Sequence, residues 1–159
     1  MSKSSIAWRA AGFGVIAGMR SASAPALLSN HFCRRENKAL HGSKWKWFCS
    51  KRAANVFSVM AAGEVLVDKI PSIPDRISPP GLIGRALFGA LAGAVLDNAT
   101  GGKTPSAPWA GAGAAVAATF ASFYGRKALS RKIADRKIAV VEDLIVYGVG
   151  MWLTRTMSK

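Results

Sequence analysis

With 159 residues and a formal net charge of +14, from 22 Lys and Arg against eight Asp and Glu, the chain fits one strongly basic domain. Sixteen glycines recur largely inside apolar runs, where they would weaken helices in water but let helix backbones approach closely in lipid. Basic clusters lying between apolar runs suit anionic lipid headgroups and argue against a nucleic-acid-binding protein.

The first span, 6–28, is apolar or small except for Arg9, Arg20 and a few Ser, and is long enough for a bilayer core of about 30 Å. Gly18-Met19-Arg20-Ser21 and Pro25 interrupt it, which predicts a helix broken near Arg20. Gly14 and Gly18, four apart, are expected at a helix contact. Lys3, Arg9, the apolar run after them and Ala22-Ser23-Ala24 imitate a secretory signal peptide, but Arg20 spoils that pattern.

A basic loop, 30–52, follows and carries seven Lys and Arg between Arg34 and Arg52. Its Lys44-Trp45-Lys46-Trp47-Phe48 interleaves indole with ammonium, as residues at the headgroup level do; stacking on single-stranded nucleic acid is the weaker alternative. His31, Cys33, His41 and Cys49 lack the close ligand pairs of zinc modules, so no metal site and no cofactor is expected. The two cysteines permit one disulfide in an oxidising compartment and free thiols in the cytoplasm.

The second span, 53–68, ends on Glu64 and Asp68, which are four apart, share one helix face and repel. A proton, a cation, or Arg20, Lys69, Arg76 and Arg85 would neutralise them. Pro71, Pro74, Pro79 and Pro80 end the helix and stiffen a connector that also holds Asp75. The third span, 82–97, sets Gly81, Arg85, Gly89, Gly93 and Asp97 four apart, and Gly89 and Gly93 make a close-packing ridge. In the polar turn after it, Gly102-Lys103-Thr104 imitates a phosphate-binding loop, but Asp97 stands where that motif needs its first glycine.

The fourth span, 105–125, carries no charge, and Gly113, Ala117, Ala121 and Gly125 are expected to form a second packing ridge. Ala110-Gly111-Ala112-Gly113 echoes Ala11-Gly12-Phe13-Gly14, a hint of an internal repeat. After a second basic loop, 126–137, the fifth span, 138–154, opens with Glu142-Asp143 and ends among Trp152, Arg155 and Lys159. Were all five segments to cross a membrane, the two basic loops would fall on opposite faces. A broken or re-entrant first or third segment is the favoured resolution, because irregular backbone is tolerated where protein surrounds it.

Gly18-Met19-Arg20-Ser21 with Pro25, Glu64-x-x-x-Asp68-Lys69-x-Pro71, Pro74-Asp75-Arg76, and Gly84-Arg85 ahead of Gly89 and Gly93 together resemble a widespread family of small bacterial integral membrane proteins of unknown function. The resemblance covers most of the chain outside 31–52. It implies an all-helical membrane fold in the bacterial inner membrane, with no reaction, substrate or cofactor attached.

The expected fold is all-α: a polytopic membrane helical bundle of four to five short, Gly/Ala-rich helices, one broken or re-entrant, and assembled as a homo-oligomer. Arg20, Glu64, Asp68, Lys69, Asp75, Arg76, Arg85 and Glu142 are the candidate substrate- or ion-binding residues, because ionisable groups at membrane depth need a partner or a purpose. No catalytic constellation is visible, so an enzyme is not expected. A small transport-type or channel-like protein is the leading expectation. A structural, partner- or lipid-binding membrane protein whose charges only hold the bundle is the other.

Overall fold

The computed structural model describes residues 3–35, 37–67, 77–130 and 135–157. Among these, all regular structure is helical. The elements are α1 (Lys3–Met19), α2 (Ser23–Arg34), α3 (Lys38–His41), a 3-10 helix (Lys44–Cys49), α4 (Lys51–Val67), α5 (Pro79–Ala99), α6 (Ala107–Leu129) and α7 (Asp135–Thr156). Among the described residues there are thus seven α-helices, where four to five were expected. The first apolar run is two helices, and the basic stretch after it coils into α3 and the 3-10 helix.

The break between α1 and α2 has a local cause. Pro25 has no N–H, and in a continuous helix its ring would press on the residue-21 carbonyl, so the helix ends ahead of it and restarts with Pro25 in the first turn. A tight turn joins the pieces: Arg20 N–H still reaches the Ile16 carbonyl (2.8 Å), and Ser23 N–H reaches that of Arg20 (3.1 Å). Side-chain caps start the next three elements, α3, the 3-10 helix and α4. Asn37 accepts from Leu40 N–H at 3.1 Å, Ser43 from Trp45 N–H at 3.1 Å, and Ser50 from Ala53 N–H at 3.1 Å. Between α5 and α6, Gly101 and Gly102 take positive φ (98° and 68°), and the Asp97 carboxylate accepts from Thr104 N–H at 2.7 Å, fixing the turn.

Pairwise contacts set the helix directions. Gly14 lies against Gly111 and Ala114, and Gly18 against Ala115 and Ala118, so α1 and α6 are parallel. Gly89 meets Gly111 whereas Gly93 meets Ala107, so α5 and α6 are antiparallel. Arg9 Nη2 donates to the Thr156 carbonyl (2.9 Å) while Arg20 reaches Asp143, so α7 runs back along α1. Glu64 touches Ala22, and Asn30 Nδ2 donates to Ser58 Oγ (2.9 Å), so α4 runs against α2. Helices α1, α4 and α6 therefore point one way and α2, α5 and α7 the other.

The bundle consequently has two ends of different charge. At the end where α1 begins and α7 stops stand Lys3, Arg9, Arg34, Arg35, Lys38, Lys44, Lys46, Lys51, Arg52, Lys103 and Arg155, with Asp97 the one acid among the described side chains. At the end of the α1–α2 break, Arg20, Arg85, Arg126, Lys127 and Lys137 mingle with Glu64, Glu142 and Asp143.

Backbone contact makes the centre. A Cβ on Gly14 would strike the Gly111 carbonyl, one on Gly18 that of Ala115, one on Gly93 that of Ala107, and one on Gly111 that of Gly89. Thr119 Oγ1 adds an interhelical bond to the Gly18 carbonyl (3.2 Å) and bonds its own helix at Ala115 (2.7 Å). The packing row of α6 is thus Gly111, Ala115 and Ala118, all buried. Gly113 and Ala117, expected on that row, are exposed, and nothing lies within 4 Å of a Cβ placed on Gly113. The reason is angular: at about 100° per residue, positions 111 and 113 lie roughly 200° apart, so two four-residue rows run on opposite faces.

Outside this centre the surface is apolar along every long helix. Trp8 is 72% exposed, Val59 71%, Trp109 79% and Leu144 69%, and many other large apolar side chains keep them company. Among the described residues, α5 alone is both long and apolar enough to cross a membrane by length and composition.

Candidate functional site at the helix break

Breaking a helix leaves the first N–H groups of the second piece without partners. The N-cap of α2 is Ala22, which has no side chain to offer them. Glu64 supplies the cap from α4: its Oε1 accepts from Ser21 N–H (3.0 Å) and its Oε2 from Ala22 N–H (3.1 Å). A carboxylate there also meets the positive end of the α2 dipole.

Arg20, just ahead of the break, is 2% exposed, and its Nε donates to Asp143 Oδ1 at 2.7 Å. A guanidinium so buried needs a compensating charge, and Asp143 of α7 provides it. Its neighbour Glu142 points elsewhere, because adjacent helical residues lie about 100° apart. Glu142 pairs with Arg126 of α6 at 3.3 Å, so two successive acids tie α7 to the α1–α2 turn and to α6. Ser23 Oγ, in the first turn of α2, is buried without a hydrogen-bond partner. Arg85 is also buried, with Nη1 donating to the Gly81 carbonyl of its own helix (3.3 Å).

The structure therefore gathers Arg20, Glu64 and Glu142 at one end of the bundle and places Gly14, Gly18, Gly89 and Gly93 at close helix approaches. Asp68, Lys69, Asp75 and Arg76 lie outside the described residues. Asp143 is the participant that sequence reasoning passed over in favour of Glu142. The Glu142-Asp143 doublet was its one visible signal. Chemically, the arrangement can cap a helix and neutralise a buried guanidinium with groups the chain supplies itself.

At the opposite end, a cavity of about 280 Å³ lies between α1, α2, α5 and α7, lined by Arg9, His31, Arg35 and Asn37 over a floor of Ile6, Phe32 and Leu96. His31 belongs to the last turn of α2, beyond the apolar span; burial, and then the Arg35 charge, push its imidazole below the ordinary value. Cys33 and Cys49 are free thiols. Burial, then Cys33, pushes the Cys49 thiol up. No group of three His, Cys, Asp or Glu among the described residues is placed to hold a metal ion.

Comparison of the chain with protein-family models, with curated proteins and with solved structures finds no match.

Proposed function

We propose that the chain is a multi-pass membrane protein of the family type its motifs resemble, in which the Arg20–Asp143 and Glu64 contacts fasten a broken helix inside the bundle, and whose basic end meets anionic lipid. Three features support embedding. Large apolar side chains stay exposed along all the long helices, which a water-soluble monomer rarely tolerates. Where α1, α5 and α6 meet, the helices close on glycine and alanine, as lipid-embedded helices do. Basic residues crowd one end, as at an anionic headgroup layer.

The fastening role rests on one observation: the Glu64 carboxylate is occupied by two backbone N–H groups of the chain's own break. A group held in this way has a fold-making task before any ligand arrives. One feature favours the transport-type reading instead. A half-helix N-terminus facing an acidic side chain inside a bundle is how several transporters build a binding site. Substitution separates the two. Under the fastening reading, Glu64→Gln and Arg20→Gln lower the melting temperature and the yield of monodisperse protein in detergent. Under the transport reading, both variants keep wild-type melting and yield but lose ion or solute flux in proteoliposomes.

A further inference from the structure

The cavity at the basic end has a construction that packing alone does not require. It is framed by α1, α2, Asn37 ahead of α3, α5 and the end of α7. Its polar wall consists of Arg9, His31, Arg35, Asn37 and Thr100, and none of the described lining residues is acidic. Three helices, α2, α5 and α7, end here, and their C-terminal carbonyls would by themselves favour a cation. Carbonyls at all three ends already hold donors. Asn37 Nδ2 bonds the Ala99 carbonyl (3.2 Å), Arg9 Nη2 that of Thr156 (2.9 Å), and Arg35 N–H that of His31 (3.2 Å). Arg9 and Arg35 are the charged groups among its described lining residues, and Ile6, Phe32 and Leu96 give it an apolar floor.

We infer that this cavity binds a phosphate group, carried by an anionic phospholipid whose head enters between Arg9 and Arg35 while its glycerol end lies along Ile6, Phe32 and Leu96. Guanidinium is the side chain best matched to phosphate, since its N–H fork bonds two oxygens at once. Basic pockets between helices at a membrane surface are where anionic lipid heads settle. The lipid source rests on the membrane reading above; the phosphate chemistry does not.

The experiment uses the full-length protein in a neutral detergent, titrated calorimetrically with three probes: a short-chain phosphatidylglycerol, the phosphatidylcholine of equal chain length, and inorganic phosphate. Arg35 is exposed at the end of α2, so Arg35→Gln leaves the fold alone, and Arg52→Gln removes an equal charge from the same end outside the cavity. Expected is saturable phosphatidylglycerol binding that Arg35→Gln weakens on the order of tenfold and Arg52→Gln by less than about twofold, with phosphatidylcholine much weaker. Phosphate binding as tightly as the lipid, with the same dependence on Arg35, supports the pocket and assigns it a water-borne phosphate. Equal weakening by the two substitutions, or no saturation by either anionic probe, overturns the inference. If the chain proves soluble and monomeric without detergent, the membrane reading fails, and the phosphate titration run in water still decides the cavity.

Discussion

Two regions of the bundle hold helices together by opposite means. In the α1/α5/α6 centre, glycine lets carbonyl meet backbone. At the helix break, α1, α2, α4 and α7 are joined by a buried guanidinium, two acids and backbone N–H groups. The first contact is short-ranged and steric, so it fixes how near the helices come. The second is polar and directional, so it fixes which helix ends meet. One region tolerates no added atom, and the other tolerates no removed partner.

The largest expected effect is steric. Gly111→Leu inserts a side chain where even a Cβ would strike Gly89, and it should cost more than about 3 kcal/mol, beyond ordinary overpacking. Gly113→Leu, on the open face of the same helix, should change stability by less than about 0.5 kcal/mol. Thermal melts in detergent read both, and equal effects would erase the assignment of the packing row. At the break, Arg20→Gln leaves Asp143 without its buried partner and should cost about 3 kcal/mol. Glu64→Gln keeps one acceptor but turns an NH2 group toward the other backbone N–H and loses the charge at the α2 N-terminus, for about 2 kcal/mol. Smaller still is Thr119→Val, which under the membrane reading removes an interhelical bond worth about 0.6 kcal/mol. Away from both regions, alkylation at neutral pH should label Cys33 before Cys49, which is buried and whose thiol is pushed up; faster labelling of Cys49 would contradict its placement.

Much of the steric region was legible in the sequence. Gly89 and Gly93 are the one pair of glycines four apart on their helix, so their spacing pointed to one face, and Gly18 with Pro25 announced the break. The row on α6 was not legible, because a helix of alternating Gly and Ala offers four-residue rows on both faces; nothing local says whether 111 or 113 turns inward. The polar region was half legible. Arg20, Glu64 and the Glu142-Asp143 doublet stood out as charges in apolar surroundings, whereas the choice of Asp143 over Glu142 depends on how α7 is rotated against α1, a property of packing between segments 123 residues apart. Reading 30–52 as a loop missed Asn37 and Ser43, whose caps turn that basic stretch into short helices, and Ser50, which caps α4.

The fastening of the broken helix is tested most directly by the coupling between Arg20 and Asp143, measured as melting free energies of Arg20→Gln, Asp143→Asn and the double variant in one detergent. A bond across the break predicts that the double variant is more stable than the sum of the single losses, by about 1 to 3 kcal/mol. Strict additivity would mean that the two side chains do not act together, and the account of how α1 and α7 are joined would be wrong.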